Sequence, residues 1–277
     1  MKKLLISLMA MLLVTITASA QSFGITNADG VEINYYYIEG DESALEVAYL
    51  TENFYSGKVV IPDKVRYGGK TYTVKRIGDR AFRGSIALTS VVIPGSVQTI
   101  GEDAFYGCNG LTSLTLNEGL ITIGKRAFSG LKGLTSLTIP GTVQTIEEDA
   151  FSGCSGLTSL DIPGSVQTIG EDAFYGCNGL TSLTLSNGLK IIGNEAFARC
   201  YRLTKIVVPE SIYTIKELAF SYCKRLKSIT IPLADDIEEG ILRGCNKLED
   251  VNIAEIKGEY FSTWYYSTLF DEDEIPF

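Results

Sequence analysis

The chain has 277 residues, 45% of them hydrophobic, with 33 Asp and Glu against 24 Lys and Arg and a net charge of −9. It contains no histidine, which removes Ser-His-Asp and Cys-His catalysis and every His-ligated metal site. An acidic chain has no electrostatic reason to bind nucleic acid or an anionic membrane surface.

Residues 1–20 read as a secretory signal peptide: Lys2-Lys3 is the positive n-region, Leu4 to Ile16 the apolar core, and Ala18-Ser19-Ala20 the cleavage site. Cleavage there starts the mature chain at Gln21 and removes two lysines, taking the net charge from −9 to −11. No cysteine lies near the cut, which argues against a lipoprotein route. No second long apolar run follows, so a membrane-spanning segment is not expected.

Residues 21–57 are expected to form an N-terminal β cap. Val31–Ile38 (VEINYYYI) and Ala44–Leu50 (ALEVAYL) alternate like two strands, joined through residues 39–43 as a hairpin. The solenoid is expected over 58–253. It opens with a degenerate unit, Val59-Val60-Ile61-Pro62, interrupted by RYGGKTYTV (66–74), which reads as a small hairpin turning at Gly68-Gly69. That glycine pair has neither the spacing nor the following helix of a phosphate loop, and no cofactor is expected.

From Leu88 the chain repeats every 23 residues, with copies starting at Leu88, Leu111, Leu134, Leu157, Leu180 and Leu203 and a shorter one at Leu226. A fixed period of this size signals a solenoid in which each unit packs only on its neighbours. In the copy LTSLDIPGSVQTIGEDAFYGCNG (157–179), Leu157, Leu160 and Ile162 occupy places one, four and six. This predicts a short strand with one buried face. Proline at place seven ends it, as at Pro94, Pro140, Pro163, Pro209 and Pro232. Val166 and Ile169 point inward again, and Gly170–Phe174 predicts a helical or 3₁₀ turn with its acidic residues at the N-terminal end. Nine strands, from Val59–Ile61 to Val251–Ile253, would stack to about 40 Å at about 4.8 Å per strand.

All six cysteines (Cys108, Cys154, Cys177, Cys200, Cys223, Cys245) occupy one repeat place, and the copy from Leu111 has Leu131 there. Interchange with leucine argues for a buried thiol ladder. Neighbouring rungs also bring the Cα atoms within disulfide range, which leaves that alternative open. The pairs Glu102-Asp103, Glu148-Asp149 and Glu171-Asp172 recur at one place and read as a solvated acidic face rather than a catalytic carboxylate pair. Residues 88–110 and 157–179 differ only at Val91/Leu160 and Val92/Asp161, so a three-repeat block has been duplicated. Duplication extends a surface; it is an unusual way to build one catalytic pocket. Residues 254–277 hold the aromatic-rich GEYFSTWYYSTLF (258–270) and an acidic tail, read as a C-terminal cap with an exposed adhesive patch as the other reading.

The pattern L-x-x-[LVI]-x-[ILV]-P-x-x-[VLI]-x-x-I-G-x-x-A-F-x-x-C, seen most fully in IPGSVQTIGEDAFYGC (162–177), resembles the BspA-like leucine-rich repeats of bacterial surface proteins. It departs from the commoner leucine-rich pattern at place nine, where Ser96, Gly119, Ser165 or Gly188 replaces asparagine. The resemblance implies a β-rich α/β repeat solenoid, curved and right-handed, with a parallel sheet on one face, short helical or 3₁₀ turns on the other and an N-terminal hairpin cap. It also implies a secreted or cell-surface protein that attaches to host proteins or other cells, and no enzyme; the signal peptide leaves the periplasm as the alternative location.

The outward strand places, three and five, carry Ser113, Thr115, Ser136, Thr138, Ser159, Asp161, Ser182 and Thr184 across the central copies. This small, hydroxyl-rich and nearly uncharged face is the candidate surface for an extracellular protein or glycan. Serine and threonine also simply suit an exposed sheet. The competing functional reading is a structural, self-associating envelope protein without a distinct ligand.

Overall fold

One 23-residue unit carries too few large apolar side chains to offset the entropy of ordering it, at about 1.5 kcal/mol per residue. Its backbone hydrogen bonds therefore have to run to the neighbouring units. The structure, a computed structural model, describes residues 22–49, 54–232 and 234–253. The expected signal peptide and the expected C-terminal cap lie outside the described residues. Within them the chain winds as a β-solenoid of about eight turns, with inter-repeat hydrogen bonds along three sides.

The Leu-x-x-Leu-x-Ile strands form the first side. They do not make the single sheet expected. Gly57–Val60, Leu88–Ile93 and Ser113–Leu116 form one parallel sheet, Ser159–Ile162 and Ser182–Leu185 a second, and Lys205–Val207, Ser228–Ile231 and Asp250–Ile253 a third. Eight of the nine expected positions are strand; Leu137 is not, although it stays buried. Proline at place seven removes the donor that would lengthen these strands. Each piece therefore has few ladder bonds, and pairing lapses between pieces.

The continuous ladder lies on the second side, in a Thr-Ile pair at places twelve and thirteen. Thr99–Ile100, Thr122–Ile123, Thr145–Ile146, Thr168–Ile169, Ile191–Ile192, Thr214–Ile215 and Asp236–Ile237 pair in unbroken parallel register. The ladder continues through Lys70–Ile77 into Asp41–Val47, giving a sheet of 12 strands.

On the third side the expected helical or 3₁₀ turns are absent among the described residues. The residues at place sixteen hold positive φ, including Asp103 (55°), Arg126 (52°), Asp149 (56°) and Asp172 (53°), and Gly107, Gly130, Gly153 and Gly176 do so four residues later. Two left-handed residues per turn prevent any run of helical dihedrals. Alternate donors go instead to the next repeat, Asp149 N to Glu171 O at 2.8 Å, Phe151 N to Ala173 O at 2.8 Å and Gly153 N to Tyr175 O at 2.7 Å, while Ala150 N and Ser152 N close single turns on Glu147 O and Asp149 O. The acidic residues here accordingly sit beside no helix dipole.

The core between the three sides is built of columns. Phe82, Phe105, Phe128, Phe151, Phe174, Phe197 and Phe220 stack at 4.7–5.7 Å between ring centroids, and Tyr55 covers the first ring at 4.5 Å. The six cysteines are buried and free. Each thiol donates to the phenylalanine carbonyl of the preceding repeat, from Cys108 Sγ to Phe82 O at 3.0 Å through Cys245 Sγ to Phe220 O at 3.3 Å.

The N-terminal strands belong to the same long sheet. Phe23–Thr26 pairs antiparallel with Glu32–Ile38, which pairs antiparallel with Asp41–Val47. The hairpin turn is tighter than expected, at Glu39-Gly40, with Gly40 at φ 80°. The inserted hairpin pairs Lys64–Tyr67 with Lys70–Ile77 and turns at Gly68-Gly69 as expected, both at positive φ. Phe23 stacks on Tyr67 at 4.0 Å, tying the two hairpins together.

Candidate functional site

Burial of Leu160 and Ile162 at places four and six forces places three and five outward, because strand side chains alternate. Ser113, Thr115, Ser136, Thr138, Ser159, Asp161, Ser182 and Thr184 are all exposed. Parallel register stacks like on like: Ser159 lies beside Ser182 and Asp161 beside Thr184, as Ser113 lies beside Ser90 and Thr115 beside Val92. The two halves of the face are separated at Ser136 and Thr138, where the ladder lapses. The structure thus brings the eight residues onto one side without joining them in one sheet.

The hydroxyls on this side divide into two sets. Those at place two are used internally: Thr112, Thr158 and Thr181 donate to the carbonyls of Thr89, Thr135 and Thr158 at 3.3, 3.4 and 3.0 Å. Those of Ser113, Thr115, Ser136, Thr138, Ser159, Ser182 and Thr184 make no hydrogen bond among the described residues. They are the uncommitted donors and acceptors.

The acidic places behave differently from one another. Asp103 is 2% exposed and is enclosed by Arg126 Nε at 2.8 Å, Arg83 Nη1 at 3.0 Å and Arg80 Nε at 3.8 Å. Asp172 has no such cage. Burial, reinforced by Glu195, Asp149, Glu171 and Glu148, pushes its carboxyl up to about 6. Burial likewise pushes the Cys108, Cys154 and Cys200 thiols up to about 12, leaving them neutral and unreactive. Among the described residues no group of three or more His, Cys, Asp or Glu could hold a metal ion.

Two shallow grooves follow corners of the solenoid, and sequence reading did not single them out. One, of about 700 Å³, runs past Gly119, Gly141, Gly164 and Gly188 between Ile121, Gln144, Gln167 and Lys190. The other, of about 720 Å³, runs over Gly107, Gly130, Gly153 and Gly176, with Tyr106 and Tyr175 at its ends. The recurrent glycines were the available signal; close packing accounts for Gly119, Gly164 and Gly188, and positive φ for Gly107, Gly130, Gly153 and Gly176. A Cβ on Gly164 would overlap the Asn187 carbonyl oxygen, and one on Gly188 the Gly164 oxygen.

Residues 75–169 and 145–268 match the BspA type leucine rich repeat region, in six copies. No curated protein matches significantly. Among solved structures, the chain is similar to a leucine rich repeat protein of T. pallidum, at 27% identity over 78% of this chain and 87% of that one, with a TM-score of 0.60. It is also similar to a leucine rich cell surface protein of Faecalibacterium prausnitzii A2-165, at 23% identity over 85% of this chain and 77% of that one, with a TM-score of 0.59. Both share the solenoid fold, and the family match spans more than half of the sequence: the chain belongs to the BspA-type leucine-rich repeat family.

Proposed function

We propose that the protein is a secreted or cell-surface interaction module, adhesin-like, whose solenoid strand face binds a protein or glycan of a host or of another cell. The observation that carries the reading is the set of seven unused hydroxyls gathered on one exposed, nearly uncharged side. The leader at residues 1–20 and the description of one structural neighbour as a cell surface protein support the location. No helix among the described residues is long and apolar enough to cross a membrane. The face lacks the aromatic and arginine anchors that usually carry tight binding, so single-site affinity is modest and avidity supplies the rest.

The test begins with an array of matrix proteins and glycans probed with residues 21–277. Replacing Ser136, Thr138, Ser159 and Thr184 together with Glu leaves the fold intact, because all four side chains are exposed. It abolishes capture through charge repulsion and lost hydrogen bonds. Replacing Glu148 and Glu171 with Lys on the turn side changes capture little. The reverse pattern overturns the assignment of the face. Capture of no ligand, together with concentration-dependent self-association in size-exclusion chromatography, replaces the reading with the self-associating envelope protein.

A further inference from the structure

One corner of the solenoid, where the turn side meets the strand face, is made of small uncharged residues in the duplicated copies: GCNGLTS at 107–113 and again at 176–182. Two adjacent rungs replace them, with RCYRLTK at 199–205 and YCKRLKS at 222–228. Residues 199–227 carry seven Lys and Arg against two Glu, in a chain that holds 24 against 33 overall. Arg199, Arg202, Lys205, Lys224, Arg225 and Lys227 are all exposed. Only Lys227 makes an ion pair among the described residues, a solvent-exposed one with Glu249 at 3.4 Å.

The register places these cations in rows. Lys205 pairs with Ser228 across the ladder, so Arg202 and Arg225, at equal places in the repeat, stand one rung apart, about 4.8 Å along the stack. Tyrosines hold the cations in position. The Arg199 guanidinium lies 5.5 Å from both the Tyr175 and the Tyr222 ring centroids, and the Lys224 ammonium 5.2 Å from that of Tyr201.

We propose that this corner is a second binding surface, one that takes a sulfated polysaccharide. The inference rests on reading the chain as a secreted interaction module but assigns the contact to the corner bordering the strand face, which it meets at Lys205. The long-range field of an acidic protein repels polyanions, so a ligand seated here needs high charge density to gain from six clustered cations. Sulfate groups stay ionised at all working pH values and fit the planar guanidinium fork. The Tyr175, Tyr222 and Tyr201 rings each already carry a cation, so stacking a nucleic-acid base on that face would have to displace it. The leucines of the two segments, Leu203 and Leu226, are buried, so no aliphatic side chain there projects as a wedge for a membrane.

The experiment measures binding of residues 21–277 to immobilised heparin across a salt series. One variant restores the chain's own consensus at the corner, with Arg202→Gly, Lys205→Ser, Lys224→Asn and Arg225→Gly. A second, Lys205→Glu with Lys224→Glu, reverses charge at two exposed positions without adding glycine. A control, Lys64→Ser with Lys70→Ser, removes two cations from the inserted hairpin. Far-ultraviolet circular dichroism confirms that each variant folds. The expected result is heparin binding that weakens steeply with salt, a loss of about tenfold or more in both corner variants and of less than about twofold in the control. The proposal is overturned by no heparin binding, by equal loss in the control, or by tighter binding of sulfate-free polyuronate, polyglutamate, duplex DNA or phosphatidylglycerol vesicles. The strand-face glutamate variant separates the two surfaces: it retains heparin if the corner is the site, whatever it does to other ligands.

Discussion

At the scale of single residues, identical repeat places hold chemically different groups because their neighbours differ. Asp103 lies among three arginines, whereas Asp172 lies among carboxylates and is held near pKa 6, above its ordinary 3.8. The folded state therefore binds the Asp172 proton more tightly than the unfolded chain does. Its contribution favours folding below about pH 4 and is lost as pH rises through about 6. Asp172→Asn, which suits the positive φ of 53° at this position, should raise stability at pH 7 by about 1–2 kcal/mol after allowance for partial solvent screening. Urea unfolding at pH 4 and pH 7 checks this: the gain should be present at pH 7 and vanish near pH 4. The thiols give a second residue-scale expectation. Six alkylated cysteines should appear after denaturation without reductant and none in the native protein, and Cys177→Ala should cost about 1–2 kcal/mol through its small cavity. Fewer than six labels, restored by prior reduction, would establish disulfides instead.

At the scale of the element, the turn after the strand shows how the family pattern is satisfied without asparagine at place nine. The Thr142 hydroxyl accepts from Gly119 N at 2.9 Å and donates to Leu120 O at 2.7 Å, and Ser211 does the same for Gly188 and Leu189 at 2.8 Å each. A hydroxyl of one repeat thus ties the turn of the repeat before it. Where place nine holds glycine, as at Gly188, both conformation and space require it: Gly188 has φ 122°, and a Cβ there would overlap the Gly164 carbonyl. Gly176 also has positive φ, at 66°, but a Cβ there meets nothing within 4 Å. Gly176→Ala should therefore cost only the left-handed penalty of about 1–2 kcal/mol. Gly188→Ala should cost clearly more, because backbone must shift. Thermal melts of the two variants decide, and equal losses would refute the close-approach argument.

At the scale of the whole molecule, stability is shared between neighbours and the ends need cover. The N-terminal strands extend the 12-stranded sheet past the first repeat, and Tyr55 closes the phenylalanine column. Deleting residues 21–56 exposes Phe82 and the edge of Lys70–Ile77. The truncated protein should melt earlier and form concentration-dependent oligomers by edge pairing. A truncated chain that stays monomeric across concentrations, with an unchanged melting temperature, would show that these strands are not a cap.

The repeat and its columns are legible in the order of the amino acids alone. A strict 23-residue period repeats leucine, isoleucine, phenylalanine and cysteine at set places, and stacked copies can only put like on like. The outward setting of Ser113 through Thr184 follows from two-residue alternation within one strand, so it too was legible. The location of the continuous ladder was decided only by tertiary structure. A two-residue strand such as Thr168–Ile169 has no alternation to read, and its partners Thr145–Ile146 and Ile191–Ile192 lie 23 residues away on either side. The turns at Asp149–Gly153 and Asp172–Gly176 look helical in composition. Every second donor is claimed by the next repeat, and residues such as Asp172 adopt a left-handed conformation that breaks the helical run. The joining of Arg202 to Arg225, and of Arg199 to two tyrosines, is likewise a consequence of winding, which sets residues far apart in sequence one rung apart in space.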